Sequence, residues 1–350
     1  LTIEPDLAEE IGRLYGYSAL PETLPAGSAG SGQVSDLARL AIRARHLLMG
    51  AGLNEAVSHT LLPNAWLRRT RCERSPVWRA DDAVAIVLRN PISEEADTLR
   101  PSLLPGLLAA VVRNRRFGIE DVWLHECGWA HAFAGRHGAP EDRFLVAGLL
   151  LGSRWSETWN PPRERADFFA GKGVVEQLAR ELGAGPLLFE RATIPAFHPG
   201  RSAVGRFGDR VMAAVGELHP EVAADLDLPP GVILFEFDAQ ACLARCQPVP
   251  RYRPPSRFPA VERDLAVVVS RDTPAAAVEA TLREALAAWG RSVRLFDLYT
   301  GAGVPEGWVS LAYRIEIGAE DRTLTDAEAD ARLEAARAAL RERFDARFRG

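Results

Sequence analysis

Side chains able to do chemistry gather in two places along this 350-residue chain. The first lies near its C-terminal end, where Phe296, Asp297, Tyr299, Ser310 and Arg314 fall within two strand-like runs. Plain alternation sets Asp297 and Tyr299 on one side of 292–299, with Val293 and Leu295, and Phe296 and Leu298 on the other. In 308–316 the same rule groups Trp308, Ser310, Ala312 and Arg314 opposite Val309, Leu311, Tyr313 and Ile315. A sheet face with a ring, a carboxylate, a hydroxyl and a guanidinium suits unstacked RNA bases. The ring stacks on a base, the carboxylate accepts from guanine N–H groups, and Arg holds phosphate. An ordinary solvated sheet face gives the same pattern. The second place is Asp6, Glu9 and Glu10, spaced so that three carboxylates share one helix face. Hard oxygen ligands of that kind suit Mg²⁺, although acids in a first helical turn are also favoured by the helix dipole alone.

The elements that must position the first group read clearly. A Val-rich strand at 264–270 precedes a helix from Pro274 to Trp289, capped by Thr273 with Pro274 in its first turn. Strands at 292–299 and 307–317 follow. The last helix opens at the capping box Thr325-Asp-Ala-Glu328 and buries Ala329, Leu333, Ala336 and Leu340. Residues 345–349 add a final short strand. This order predicts a ferredoxin-like α/β sandwich, with helices over one sheet face and the other face open.

Upstream, a helix from Pro5 to Tyr15 closes a segment ending at residue 25, and 26–34 is a Gly/Ser linker. Ser35 caps a helix running to about Met49. Strands near 55–61, 83–89, 121–127, 142–152, 203–208, 211–216 and 232–237 predict a mainly antiparallel sheet. Helices at 64–69, 103–116 and 168–182 accompany it. The fold class expected is α+β throughout. Trp155 and Trp159 are expected as core or interface anchors.

Other candidates read poorly as sites. Gly171-Lys-Gly173 lacks the spacing and the Ser/Thr of a phosphate loop. His198-Pro and His219-Pro sit in predicted turns, Ser202 has no identifiable His/Asp partners, and Cys242 and Cys246 have no nearby His pair for zinc.

Composition sets further limits. At 47% hydrophobic and 25% charged, the chain has material for two or three cores. No apolar run reaches membrane-span length, so no membrane partner is expected. The chain opens at Leu1 without a secretory pattern and is expected to be part of something longer. Four scattered cysteines (Cys72, Cys127, Cys242, Cys246) argue for a reducing cytosol rather than a disulfide framework. Lys172 is the only lysine, and the net charge of -5 argues against a general nucleic-acid coat. Residues 249–350 carry 16 Arg against 16 Asp plus Glu, with Arg251, Arg253, Arg257 and Arg263 clustered at the start. Such a neutral module would contact RNA through local Arg and stacking.

Several ordered motifs now resemble the β subunit of bacterial phenylalanyl-tRNA synthetase, C-terminal portion. In the last hundred residues they are Ser256-Arg-Phe-Pro-Ala-Val-Glu-Arg-Asp-Leu-Ala-Val-Val-Val269, Phe296-Asp-Leu-Tyr-Thr-Gly301, Ser310-Leu-Ala-Tyr-Arg314 and Arg322-Thr-Leu-Thr-Asp326. Upstream the resemblance continues through Asn90–Leu108, Asp167–Gly173, Phe197–Ser202 and Gly216–Val222. It leaves out the linker and a divergent patch around 62–82. Asp345 stands where the family usually has Gly after the last helix, which predicts a strained turn.

The resemblance implies four segments. Residues 1–25 would end a preceding acidic-helix domain, 26–34 would link, 35–247 would form a class II synthetase-like antiparallel module, and 248–350 would be a ferredoxin-fold anticodon-binding domain. His125-Glu-Cys-Gly-Trp-Ala-His131 and Phe235-Glu-Phe-Asp-Ala-Gln-Ala-Cys242 lack the phosphate-binding Arg that adenylate formation needs, so the module is expected to be catalytic-like without chemistry. The family implies an (αβ)₂ heterotetramer in the cytoplasm that joins phenylalanine to tRNA(Phe) using ATP and Mg²⁺, with the chemistry in the α subunit. Asp297 is then expected to accept from a guanine edge, Tyr299 to stack and Ser310 to add a hydrogen bond. Arg257 and Arg314 are expected on phosphate, and Asp6, Glu9 and Glu10 at a magnesium, although an Asp the family has just before Leu1 is missing. The rival readings are a free-standing RNA-binding protein and a pure assembly scaffold.

Overall fold

The computed structural model describes residues 2–349 apart from 24–26, 28–31, 79–82, 134, 136, 137, 156–158, 161–163, 246–251 and 253. Most of the Gly/Ser segment, the junction expected at 247/248, Cys246, Arg251 and Arg253 therefore lie outside the described residues. Two compact units are present, Leu1–Arg39 and Leu40–Gly350. In the first, α1 (Glu4–Tyr15) ends at Gly16, whose φ of 94° only glycine adopts cheaply, and a single 3₁₀ turn follows. No residue of α1 is buried.

The chain then enters α2 (Asp36–Gly50), where the Ser35 hydroxyl accepts from the Ala38 N–H as a cap. The strand expected at 55–61 is broken into β1 (Asn54–Glu55) and β2 (Leu61–Leu62), and α3 (Asn64–Arg69) follows as expected. The strand expected at 83–89 shrinks to β3 (Val84–Ala85), with β4 (Thr98–Leu99) pairing β2. Beyond α4 (Leu104–Arg116), β5 (Val122–Phe133) and β6 (Pro140–Leu151) form a long hairpin. Next come α5 (Phe168–Glu181), β7 (Leu188–Arg191), β8 (Phe197–Phe207), β9 (Arg210–Leu218), α6 (Pro220–Asp225), β10 (Ile233–Asp238) and α7 (Ala239–Leu243).

The sheet they build has the order β1-β5-β6-β10-β9-β8-β7, with β3 on the side of β5. Its pairs are antiparallel except β1 with β5. The near-continuous apolar run Phe144–Leu151 of β6 is buried on both faces, as a central strand covered by helices requires. On one side α4 packs Leu104, Leu107, Leu108 and Val111 onto it. On the other, Gly171 lets α5 approach so closely that a Cβ there would lie 2.6 Å from Ile233. Within the Gly-Lys-Gly run, Gly171 is thus a packing device, while a Cβ at Gly173 would meet nothing.

The last hundred residues build a four-stranded antiparallel sheet. It comprises β11 (Val261–Ser270), α8 (Ala275–Leu286), β12 (Gly290–Tyr299), β13 (Trp308–Ile317), α9 (Asp326–Phe344) and β14 (Arg347–Arg349), in the order β12-β13-β11-β14. This is the expected ferredoxin-like sandwich. Alternation along β11 and β13 sends Leu265, Val267, Val269, Val309, Leu311, Tyr313 and Ile315 into a core shared with both helices. The four α9 residues expected inside are all buried, and the Thr325–Glu328 capping box is formed.

Three local expectations need correction. Pro274, not Thr273, occupies the N-cap of α8, with no side-chain cap bond, because its extended backbone (ψ 131°) precedes the first helical residue. That helix stops at Leu286 and passes into a 3₁₀ turn. Trp155 and Trp159 are 56% and 96% exposed, so neither is a core anchor. Asp345 does take the left-handed conformation expected of it, at φ 50° and ψ 37°.

Candidate nucleic-acid interface

The uncovered face of the ferredoxin-like sheet brings together most of the residues selected from the sequence. Simple alternation along β12 would carry Asp297 and Tyr299 to the core side, because Val293 and Leu295 pair with the buried Ile315 and Tyr313. A β-bulge prevents this. The register steps from Leu295↔Tyr313 to Asp297↔Ala312, so Phe296 is the extra residue and the parity reverses. Asp297 then stands beside Ala312, and Tyr299 beside Ser310, on the face opposite the helices. The expected grouping of Asp297 and Tyr299 with Val293 and Leu295 is therefore corrected by one inserted residue.

Each of these groups is held differently. The Asp297 carboxylate accepts the Leu298 N–H at 2.9 Å and stays exposed. The Tyr299 hydroxyl donates to the Ala302 carbonyl at 3.4 Å. Its ring lies so close over Gly301 that a Cβ there would come within 2.3 Å of the hydroxyl oxygen. Ser310 is buried in the floor between Tyr299 and Val268.

Arg314 shares the face but is not free for phosphate. It makes two 2.9 Å bonds to Asp264 and lies 3.3 Å from Glu262, while its guanidinium sits 5.1 Å from the centre of the Phe296 ring. Hydrogen bonding to Asp264 holds its pKa above the ordinary Arg value, and the same bonds hold Asp264 below the ordinary Asp value. Arg257 is not brought to the group. Its neighbours Ser256 and Phe258 accept from Arg291 at the start of β12, about 20 Å of strand from Asp297. Arg263 points to the helix side, paired with Asp326 and Asp330.

Sequence reasoning passed over Arg347. Its position opposite Val268 on β14 puts it on the open face, and its guanidinium lies 4.8 Å from the centre of the Trp308 ring. The signal was present, since Phe348 is the apolar residue of that short strand and its neighbour must point outward.

The acidic helix shows no convergence of carboxylates. Asp6 turns back to accept the Thr2 and Ile3 N–H groups at 2.7 and 3.3 Å, and those bonds lower its pKa. Glu10 pairs with Arg13 at 2.6 Å. Among the described residues no group of three His, Cys, Asp or Glu side chains is placed to hold a metal. As placed, Asp6, Glu9 and Glu10 do not fit a magnesium site on their own.

In the larger sheet, Glu126 on β5 and Glu236 on β10 flank Ala147 of β6 in one transverse row, both buried. Glu126 accepts from Arg100 at 2.6 Å and from the Ser58 hydroxyl and N–H at 2.7 and 3.1 Å. Glu236 accepts from the Ser102 hydroxyl at 2.7 Å, the Leu103 N–H at 2.9 Å and the Ser75 hydroxyl, and burial raises its pKa. Residues 100–103 therefore plug this row. Arg100 is committed to Glu126, and a triphosphate laid here would meet two carboxylates.

Burial pushes the Cys72 and Cys127 thiols up to about 12, so neither is a poised nucleophile. His198 lies at the start of β8 rather than in a turn, and its Nδ1 accepts the Gly200 N–H. The His219 Nδ1 accepts the Glu221 N–H at 3.2 Å and caps α6. The Ser202 hydroxyl donates to backbone carbonyls.

Comparison with known proteins identifies the family. Residues 20–239 match the family model of the phenylalanyl tRNA synthetase beta chain CLM domain, and 256–349 match that of the ferredoxin-fold anticodon binding domain. The phenylalanine–tRNA ligase beta subunit of Moorella thermoacetica is 41% identical over 350 residues, covering 100% of this chain and 43% of that one. That of Anaeromyxobacter dehalogenans is 42% identical over 356 residues, with the same coverages. That of Symbiobacterium thermophilum is 39% identical over 94% of this chain and 36% of its own. The chain thus spans about two fifths of the length of the curated relatives it matches. With one family model covering more than half of its residues and the second following in order, the chain belongs to the phenylalanyl-tRNA synthetase β-chain family.

Proposed function

We propose that this chain is the tRNA-reading and scaffolding part of a phenylalanine–tRNA ligase. In this reading it serves an (αβ)₂ complex in the cytoplasm whose α subunit carries out the ATP-dependent chemistry. The open face of the β12-β13-β11-β14 sheet receives the anticodon. Asp297 accepts from a guanine edge, Tyr299 stacks on the base and Ser310 adds a hydrogen bond. The observation that carries the reading is the bulge at Phe296, which sets Asp297 and Tyr299 beside Ala312 and Ser310.

The larger sheet acts as a catalytic-like shell. Its Glu126–Ala147–Glu236 row is filled by residues 100–103, which favours a scaffold over an adenylate-forming centre. We place the functional segments at 1–25, 35–247 and 248–350, joined by the 26–34 linker. Magnesium belongs to the complex in this reading, and no step here runs through Asp6, Glu9 or Glu10. No helix among the described residues is long and apolar enough to cross a membrane.

The test is binding of tRNA(Phe) to the whole chain carrying Asp297→Ala or Tyr299→Ala. Each substitution is expected to weaken binding by about 1–3 kcal/mol. Unchanged affinity in both variants overturns the assignment.

A further inference from the structure

We propose that Arg347, seated on Trp308, is the phosphate contact of this face and forms the far wall of the trough in which the RNA lies. The inference rests on the reading that the face binds RNA. Successive pairings place Tyr299, Ser310, Val268 and Arg347 in one row across four strands. The adjacent row on the same face runs from Asp297 through Ala312 to Ala266. The centre of the face is floored by Ala266 and Ala312, which are partly exposed, and by Val268 and Ser310, which are buried beneath the residues around them. Asp297 and Tyr299 stand on β12 at one side and Arg347 on β14 at the other, with Trp308 on β13 in the next row beyond Ser310, its ring under the Arg347 guanidinium. Arg347 lies about 10 Å, two strand spacings, from Ser310. A base reading its edge at Asp297 can sit on that floor while the sugar–phosphate of its neighbour passes over β11 towards β14.

Charge and preorganisation favour Arg347 for that role over Arg314 and Arg294 of the same face. Arg314 is neutralised by Asp264 and Glu262. Arg294 stands opposite Arg314, on the far side of Asp297 from the Ser310 row. Arg347 is exposed, and its contact is with the indole face at 4.8 Å, which orders the guanidinium without occupying its N–H donors. A phosphate contact of this kind adds affinity without sequence preference, unlike Asp297.

The test is a titration of the whole chain with an RNA hairpin bearing the tRNA(Phe) anticodon loop, and with the same hairpin altered at its guanine, at several salt concentrations. Arg347→Ala is expected to weaken both hairpins by a similar factor, roughly tenfold at low salt. It should also lower the slope of log affinity against log salt by about 0.7. Arg347→Lys should restore the slope and Arg347→Gln should not, a contrast that separates charge from any packing role of the side chain. Asp297→Ala should instead erase the difference between hairpins while keeping the slope. Wild-type affinity and slope in Arg347→Ala, alongside losses in Asp297→Ala and Tyr299→Ala, overturn this inference and leave the RNA reading standing. No loss in any of the three overturns both. An equal change of slope in Arg294→Ala overturns the assignment to Arg347, since a general charge effect would then suffice.

Discussion

Gly301 offers the sharpest handle on the placement of Tyr299. A methyl group at this position would lie 2.3 Å from the Tyr299 hydroxyl oxygen and 2.4 Å from Cζ, far inside van der Waals contact. The atoms struck are the far end of a side chain that is 42% exposed and held by one long hydrogen bond to the Ala302 carbonyl, so the ring swings away and the backbone stays. Gly301→Ala should therefore leave the unfolding free energy within about 0.5 kcal/mol of the parent. Stacking of a base on an aromatic ring is worth about 1–3 kcal/mol, and the displaced ring should forfeit it, weakening the anticodon hairpin roughly 5- to 150-fold. Fluorescence anisotropy measures the affinity, and urea unfolding monitors the fold. A double-mutant cycle sharpens the test, because Gly301→Ala should add nothing to Tyr299→Ala. Full additivity of the two changes, or wild-type affinity in Gly301→Ala, would refute the claim that this glycine holds the ring in place.

Glu126→Ala leaves Arg100 inside the protein, with 4% exposure, and without its anion. We expect a loss of about 3–5 kcal/mol in urea unfolding, and a loss below about 1 kcal/mol would show that the plug is not held by this pair. His125 is fully buried with neither ring nitrogen hydrogen-bonded, and burial lowers its pKa below the ordinary 6.5, with Glu55 opposing and Arg45 assisting. The fold therefore favours the neutral ring. Its contribution is intact above about pH 6.5 and fades as pH falls from there towards the folded pKa. The parent should accordingly lose unfolding free energy faster than His125→Leu on acidification, and parallel pH profiles would contradict this. Asp345→Gly relieves a left-handed residue at the end of α9 and should stabilise the chain by about 0.5–1 kcal/mol in thermal or urea unfolding.

Most of the architecture was legible because its signals are local. The Thr325–Glu328 box, the α9 stripe and the alternation of β11 and β13 each depend on residues a few positions apart, and all three are realised. The bulge at Phe296 is not a local signal. It depends on how β12 must match β13, so strict period-two reading put Asp297 and Tyr299 with the core residues. Arg314 was chosen by residue type, yet its charge is set by Asp264, 50 positions away in sequence and opposite it in register. Arg257 was chosen by its place in an Arg-rich run, and only the fold shows it at the other end of β12. The acids of α1 looked like ligands because their spacing fits a helix face, whereas Asp6 serves the backbone N–H groups of its own helix start. Glu126 and Glu236 were visible as acids within apolar strands, but Ala147 between them and the plug from 100–103 are tertiary facts.

The central claim is that Asp297 reads a guanine from the open sheet face. The most direct measurement compares the affinity of the whole chain for two anticodon hairpins differing only at that guanine, in the parent and in Asp297→Ala. The parent should prefer the guanine hairpin by about 1–3 kcal/mol, and the variant should bind both alike. Discrimination that survives intact in the variant would contradict the account.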